Sequence, residues 1–140
     1  MTAIAPLTPS ATQPTRLMLV DDHPSFRASA RWLLETEGYE IVAEAGSGES
    51  ALDQLVAASP DVVLLDVGLP GIDGFRAARA ICARLPRARV VLTSSRDFAD
   101  LGADRVRACG AVGFVPKTEL SRAALDALIA RGPRCERPAL

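Results

Sequence analysis

The chain has 140 residues, a length typical of one domain with a buried core. Apolar residues make up 49% of the sequence and charged residues 24%, as is usual for globular proteins. The 16 basic and 17 acidic residues leave a net charge of -1, which argues against a strongly basic nucleic-acid binder. Lys117 is the only Lys, since every other basic residue is Arg.

The sequence carries no pattern for membrane insertion or secretion. No apolar run approaches the ~20 residues of a membrane span, and no charged segment followed by an apolar one opens the chain. Its three cysteines, Cys82, Cys109 and Cys135, are far apart and lack the spacing of a metal site or a redox pair. We therefore expect a cytoplasmic protein with reduced cysteines and no membrane contact.

Both ends of the chain are expected to be tails. Residues 1–15 contain three Pro among Thr, Ser and Ala and carry no charged side chain, which predicts a disordered segment. One domain is expected over residues 16–131. The nine residues 132–140 are too few for a helix-turn-helix, so we expect a short tail, no output domain and no direct DNA binding.

From residue 16 onward, short apolar runs alternate with helical patterns. The runs are β-branched and suit strands buried on both faces; they cover 17–20, 61–66, 89–93 and 113–116, with a weaker candidate at 40–44. The helical patterns cover 24–37, 49–58, 74–85, 98–109 and 119–131. Gly38 is a candidate C-cap of the first helix and Thr118 a candidate N-cap of the last, whereas Gly102 weakens the fourth.

The order is therefore β-α repeated five times. Strict alternation predicts an α/β fold, with a doubly wound parallel sheet of five strands and helices on both faces. A closed eight-fold barrel needs about 250 residues, so the length excludes it. In open sheets of this kind, ligands bind beyond the carboxyl ends of the strands.

Polar residues that could bind a ligand or take part in a reaction follow four of the predicted strands. The first runs into Asp21 and Asp22, the third ends in Asp66, the fourth ends in a Thr-Ser-Ser string at 93–95, and Lys117 follows the fifth. Three carboxylates packed together repel each other, and Mg²⁺ prefers oxygen ligands of this kind. Mg²⁺, an ammonium and a hydroxyl together would clamp a phosphoryl group.

Asp66 is the candidate nucleophile in this arrangement. A carboxylate can attack phosphorus and form an aspartyl-phosphate. Asp66 stands alone at a strand end and is followed by a loop with Gly68 and Gly71, through which the backbone can approach closely. Asp21 and Asp22 are then left to hold the metal.

Three strings carry a resemblance to a known family: LVDDHP at 19–24, LDVGLPGIDG at 65–74 and GAVGFVPK at 110–117. Over residues 16–131 the chain resembles the receiver domain of bacterial two-component response regulators. Its DDHP start is similar to receivers of the NarL/FixJ/LuxR-type subgroup, whose members often carry a C-terminal helix-turn-helix. The resemblance implies a flavodoxin-like (βα)5 fold with strand order 2-1-3-4-5.

The resemblance also implies a role for each site residue. Asp66 would accept a phosphoryl group from a histidine kinase or phosphotransfer protein. Asp22 would bind Mg²⁺ directly and Asp21 through water, while Asp66 and the backbone carbonyl of Gly68 would complete the protein ligands. Lys117 would pair with Asp66 and then with the phosphoryl oxygens.

The switch residues are implied in the same way. The connection after the third helix aligns Ser94 with the switch hydroxyl, whereas the apolar run aligns Thr93 with it, and we favour Ser94. Phe114, three residues before Lys117, takes the position of the aromatic switch. A downstream protein would bind the face formed by the fourth helix, fifth strand and fifth helix, and the sequence also allows a homodimer.

On this interpretation the chain is a single-domain response regulator, a phosphoacceptor rather than an enzyme with a separate substrate. The alternative is a receiver-like interaction module that is not phosphorylated. An aspartyl-nucleophile phosphatase is disfavoured because Gly68 occupies the position where a second carboxylate would act as acid and base. His23, the only His, is interpreted as a local structural residue rather than a ligand.

Overall fold

The computed structural model describes residues 13–95 and 102–131. The strands are β1 (Arg16–Val20), β2 (Glu40–Ala45), β3 (Val62–Asp66), β4 (Arg89–Ser94) and β5 (Gly113–Pro116). The helices are α1 (Pro24–Thr36), α2 (Gly48–Ala58), α3 (Gly74–Arg84), α4 (Ala103–Ala108) and α5 (Arg122–Arg131), with a 3₁₀ turn at Lys117–Glu119. The predicted C-terminal tail and nearly all of the predicted N-terminal tail lie outside the described residues.

All five strands pair in parallel in one sheet with the order β2-β1-β3-β4-β5. The predicted α/β fold and strand order are therefore confirmed. The chain winds outward in both directions from β1, so the order reverses between β1 and β3. The carboxyl ends of these two strands form the edge where doubly wound sheets bind their ligands.

The sheet separates two apolar clusters. Val63 and Leu65 of β3 pack in the cluster formed with α2, α3 and α4. Leu64 of β3 and Val91 of β4 pack in the cluster formed with α1 and α5. Because successive strand residues point to opposite faces, Asp66 lies on the same face of β3 as Leu64. The acidic end of β3 is thereby directed to the α1/α5 side of the sheet.

Two helix starts differ from the sequence prediction. The prediction that the last helix begins at 119 with Thr118 as its N-cap is wrong, because a 3₁₀ turn at Lys117–Glu119 intervenes. Ser121 provides the side-chain cap instead, accepting a 3.1 Å hydrogen bond from the N–H of Ala124. Gly102, with a φ of +87°, directly precedes α4, and residues 98–101 of the predicted fourth helix lie outside the described residues.

The structure can be compared with two further expectations, one about the cysteines and one about membrane contact. Cys109 is a free and buried thiol, as expected for a reduced cysteine, and Cys135 lies outside the described residues. Within the described residues, the structure has no helix whose length and hydrophobicity would suit a membrane crossing.

Gly74 allows α3 to begin directly against the end of β3. A Cβ at this position would lie 2.4 Å from the Cα of Val67 and 2.6 Å from the carbonyl oxygen of Asp66. The N–H of Gly74 donates a 3.1 Å hydrogen bond to the carbonyl of Val67. This close contact holds the backbone of Asp66 in place and so positions its side chain.

We predict that Gly74→Ala lowers the free energy of unfolding by about 1–3 kcal/mol, because the added methyl meets backbone atoms that cannot rotate away. Urea denaturation measures this change. Gly46→Ala is the matched control, since its Cβ would lie 3.5 Å from Nη1 of Arg27, an ordinary contact. Equal losses in the two variants would contradict the packing argument.

Candidate functional site

Four polar side chains meet at the carboxyl edge of the sheet. Asp66 is the last residue of β3, and Thr93 is its in-register partner on β4. Asp21 directly follows β1, and Lys117 directly follows β5. By strand alternation all four positions share the face that α1 and α5 cover. The structure therefore brings together side chains that are up to 96 positions apart (21 to 117) in the sequence.

Lys117 lies between two buried carboxylates. Its Nζ is 2.6 Å from Oδ2 of Asp21 and 3.6 Å from Oδ2 of Asp66. The Lys117 side chain is 14% exposed, while those of Asp21 and Asp66 are 2% and 6% exposed. The ammonium also lies 4.4 Å from the ring centroid of Phe26, a cation–π distance. Because little water screens these groups, their charges interact strongly.

The Asp66 carboxylate is held by the loop that follows it. Its Oδ1 accepts a 3.1 Å hydrogen bond from the backbone N–H of Gly68. Burial raises the pKa of Asp66 above its usual value of 3.8, and the charges of Asp21 and Asp22 raise it further. The Gly68 amide and the Lys117 ammonium lower that pKa in part. An ionised Asp66 is thus costly and gains from any additional positive charge nearby.

The acidic residues form a set able to bind a metal ion. One donor atom from each of Asp21, Asp22, His23 and Asp66 lies within 4.8 Å of the others. Oδ1 of Asp22 is buried and makes no hydrogen bond to any described residue. Oδ2 of Asp21 has no hydrogen-bond partner in that part of the chain either, although Lys117 pairs with it electrostatically. A buried carboxylate oxygen without a hydrogen bond, such as Oδ1 of Asp22, fits a hard divalent cation such as Mg²⁺.

The two candidate switch hydroxyls lie on opposite faces of β4. Thr93 is 1% exposed, shares the face of Asp66, and its Oγ1 has no hydrogen-bond partner within residues 13–95 and 102–131. Ser94 is 5% exposed and is the next residue along the strand, so its side chain points to the other face. The register therefore favours Thr93, the second choice from the sequence, as the hydroxyl nearest in register to Asp66.

Phe114 lies on the face of the sheet opposite to Asp66. It is half-buried and packs against the cluster formed with α2, α3 and α4. Together with Val106 of α4 and Leu128 of α5, it lines an open groove of about 470 Å³. A change in this side chain would therefore alter a surface on α4, β5 and α5.

A comparison with models of protein families identifies the family of the chain. The model of the response regulator receiver domain matches residues 17–130. The chain belongs to the response regulator receiver family. The resemblance stated from the three sequence strings is thereby confirmed, and similarity to bacterial two-component regulators extends beyond those strings.

Individual relatives agree with this assignment. The transcriptional activator protein ExaE of Pseudomonas putida is 40% identical over 114 residues, which cover 80% of this receiver and 52% of that protein. The receiver spans about half the length of the curated relatives it matches. A LuxR-family two-component response regulator from Aurantimonas sp. SI85-9A1 superposes with a TM-score of 0.76 at 34% identity, covering 86% of this chain and 89% of that one.

A third similar structure contains beryllofluoride and magnesium. It is the complex of CheX and CheY with beryllofluoride and magnesium from Borrelia burgdorferi. The matched chain superposes on this receiver with a TM-score of 0.75 at 25% identity. The match covers 88% of this receiver and 92% of that chain.

Three residues at the start of α1 also lie at the site. The sequence alone did not assign them to it. Nδ1 of His23 lies 3.0 Å from Oδ1 of Asp21, a local contact that agrees with the structural role expected of it. Phe26 lies beneath the Lys117 ammonium, and Nη1 of Arg27 donates a 2.6 Å hydrogen bond to the carbonyl of Asp21. The signal for all three is their position in the first turns after Asp22.

The raised pKa of Asp66 predicts a pH dependence of stability. The folded state holds the Asp66 proton more tightly than the unfolded state, so this group favours folding most below its unfolded pKa near 3.8. That contribution is lost as the pH rises through the higher folded pKa. Asp66→Asn, which removes the charge, should therefore stabilise the metal-free protein at pH 7.

The gain should shrink as the pH falls below about 4, where Asp66 is neutral in both states. Urea denaturation in the presence of a chelator at the two pH values measures it. A gain that is the same at both pH values, or a loss of stability at pH 7, would contradict the assignment of a buried charge penalty to Asp66.

Proposed function

We propose that this receiver accepts a phosphoryl group on Asp66 from a histidine kinase or phosphotransfer protein, in a reaction that depends on Mg²⁺. The observation that carries the proposal is the position of Lys117, whose ammonium reaches both Asp21 and Asp66 at the carboxyl edge of the sheet. We further propose a cytoplasmic setting and signalling through contacts with other proteins. A homodimer is one form that such contacts would take.

In the transfer step, a carboxylate oxygen of Asp66 forms a bond to phosphorus while the phosphorus–nitrogen bond of the phosphohistidine breaks. The leaving imidazole nitrogen keeps the electron pair and takes up a proton. Gly68 orients the nucleophile by holding Oδ1, so that Oδ2 faces the Lys117 ammonium. Such positioning lowers the barrier because the reacting atoms meet in one geometry.

The metal ligands in this proposal are Asp21, Asp22, Asp66 and the carbonyl of Gly68. When bound there, Mg²⁺ supplies positive charge that offsets the phosphoryl oxygens and the carboxylates. Oδ1 of Asp22 supports this assignment, since it is buried and makes no hydrogen bond within the described part of the chain. Lys117 shares the task as a compact point charge on a flexible stem, which suits one acyl-phosphate better than the flat fork of Arg.

Signalling then follows from the added charge. Phosphorylation adds about -1.5 to -2 charges at pH 7 and new acceptor oxygens. The Lys117 ammonium and the Thr93 hydroxyl, which lacks a partner within the described ranges, would turn toward those oxygens. The end of β4 then moves, Phe114 repacks, and the groove on α4, β5 and α5 changes shape for a downstream protein. This is a population shift driven by contacts that exist only in the phosphorylated state.

We predict that Asp66→Asn abolishes labelling by a small acyl phosphate such as acetyl phosphate in the presence of Mg²⁺, because the nucleophilic oxygen pair is lost. Asp53→Asn, which removes an exposed carboxylate on α2, is the matched control and should be labelled like the unaltered chain. Phosphate incorporation is measured by intact mass. Label that persists in Asp66→Asn would refute the nucleophile, and an unlabelled native chain would favour an interaction module that is never phosphorylated.

A second pair of variants separates the switch hydroxyls. Thr93→Ala should diminish the beryllofluoride-induced chemical-shift changes at β5 and α4, because the hydroxyl that links the acceptor to β4 is gone. Ser94→Ala removes the same group from the other face of the strand and should leave those changes in place. Two-dimensional NMR of both variants measures the effect. The opposite ranking would restore Ser94 as the switch residue.

A further inference from the structure

We propose that Phe26 is a positioning residue, whose ring holds the Lys117 ammonium between Asp21 and Asp66 and thereby helps to set the rate at which Asp66 is phosphorylated. The inference rests on the proposed function, because it concerns the approach of Lys117 to the acceptor. It goes beyond that function by assigning a role in the transfer to an apolar side chain of α1.

The surroundings of the ammonium carry the proposal. Nζ of Lys117 lies 2.6 Å from Oδ2 of Asp21 and 3.6 Å from Oδ2 of Asp66, so both carboxylates attract it. The ring centroid of Phe26 lies 4.4 Å from the same nitrogen, within the roughly 6 Å over which a ring face attracts a cation. A Lys ammonium has three N–H donors, and the ring is a third group toward which it can direct them.

Limited access of water strengthens the contact with the ring. The Lys117 side chain is 14% exposed, so few water molecules can take the place of the ring. A cation–π contact is stronger when the cation is shielded from water in this way. The Phe26 ring is itself half-buried and packs against the cluster formed with α1 and α5. The ring therefore offers the ammonium a fixed surface rather than a mobile one.

This surface suits a cation that has to move during the reaction. The ammonium lies nearer to Asp21 than to Asp66, so it must shift toward Asp66 to meet the phosphoryl oxygens. The negative face of an aromatic ring attracts a cation without the directional demand of a hydrogen bond, which allows such a shift. Without the ring, water enters on that side and the ammonium can settle on Asp21 alone. Loss of the ring should therefore slow the transfer.

The chain offers a single-site probe, since Lys117 is its only Lys. In the full chain labelled with ¹³C- and ¹⁵N-lysine, NMR detects the Hε protons and the ammonium of this residue alone. We expect Hε resonances shifted upfield by the ring, and an ammonium signal that survives exchange with water. Phe26→Leu keeps an apolar side chain but should return Hε to its ordinary shift and weaken the ammonium signal. Phe26→Tyr keeps the ring and should preserve both.

Labelling by acetyl phosphate with Mg²⁺ tests the consequence for the reaction. The initial rate should fall by about threefold or more in Phe26→Leu and be retained in Phe26→Tyr. Trp32→Leu is the matched control, because it removes a ring that is 70% exposed on the same helix, and its rate should equal that of the native chain. The Mg²⁺ concentration that gives half of the maximal rate should be the same in all four proteins, whereas general damage to the site would change it.

Three results would overturn the inference: an ordinary Hε shift in the native chain, a native rate in Phe26→Leu, or an equal loss of rate in Phe26→Leu and Phe26→Tyr. The last would assign the effect to packing rather than to the ring face. A native chain that takes no label contradicts the proposed phosphoacceptor instead. The NMR signals are recorded without acetyl phosphate, so they still decide whether the Phe26 ring positions the Lys117 ammonium.

Discussion

Repulsion among carboxylates at the end of a buried sheet is the constraint on which the site depends. Asp21 and Asp66 are nearly inaccessible to water, and Asp22 lies beside them. Within the protein their charges are poorly screened, so the ionised cluster is costly without positive charge. The Lys117 ammonium supplies part of that charge, and the carboxylates are grouped so that a metal ion could supply the rest.

The backbone determines which side chains lie close enough together to repel each other. Parallel pairing aligns the ends of β1, β3 and β4 at one edge, and strand alternation directs Asp66 and Thr93 to one face. Gly74 lets α3 start against the carbonyl of Asp66, and the Gly68 amide holds the carboxylate itself. The Asp66 carboxylate is thus fixed before any ligand arrives, which is the preorganisation that the proposed group transfer requires.

Much of this arrangement follows from the sequence. The βα alternation determines a parallel sheet, and the residues after each strand identify Asp66 and Lys117 as neighbours because parallel strands end at one edge. The choice between Ser94 and Thr93 did not follow, since a shift of one residue exchanges the faces of a strand, and it takes the pairing register to favour Thr93.

Contacts between distant or irregular segments were also beyond sequence reasoning. The apolar periodicity places Phe26 on the buried stripe of α1, but its contact with the Lys117 ammonium depends on how α1 packs across β1. His23 faces the carboxylates because the backbone turns between β1 and α1. The late start of α5 reflects a 3₁₀ turn after Pro116, which helical periodicity does not encode.

The measurement that tests the central claim most directly is the location of the phosphoryl group. The chain is incubated with acetyl phosphate, the acyl phosphate is reduced with borohydride, and the modified residue is identified by peptide mass spectrometry. Our account predicts homoserine at position 66 alone, formed with Mg²⁺ and absent when the metal is chelated. Modification at another carboxylate, or labelling that does not depend on a divalent cation, would contradict it.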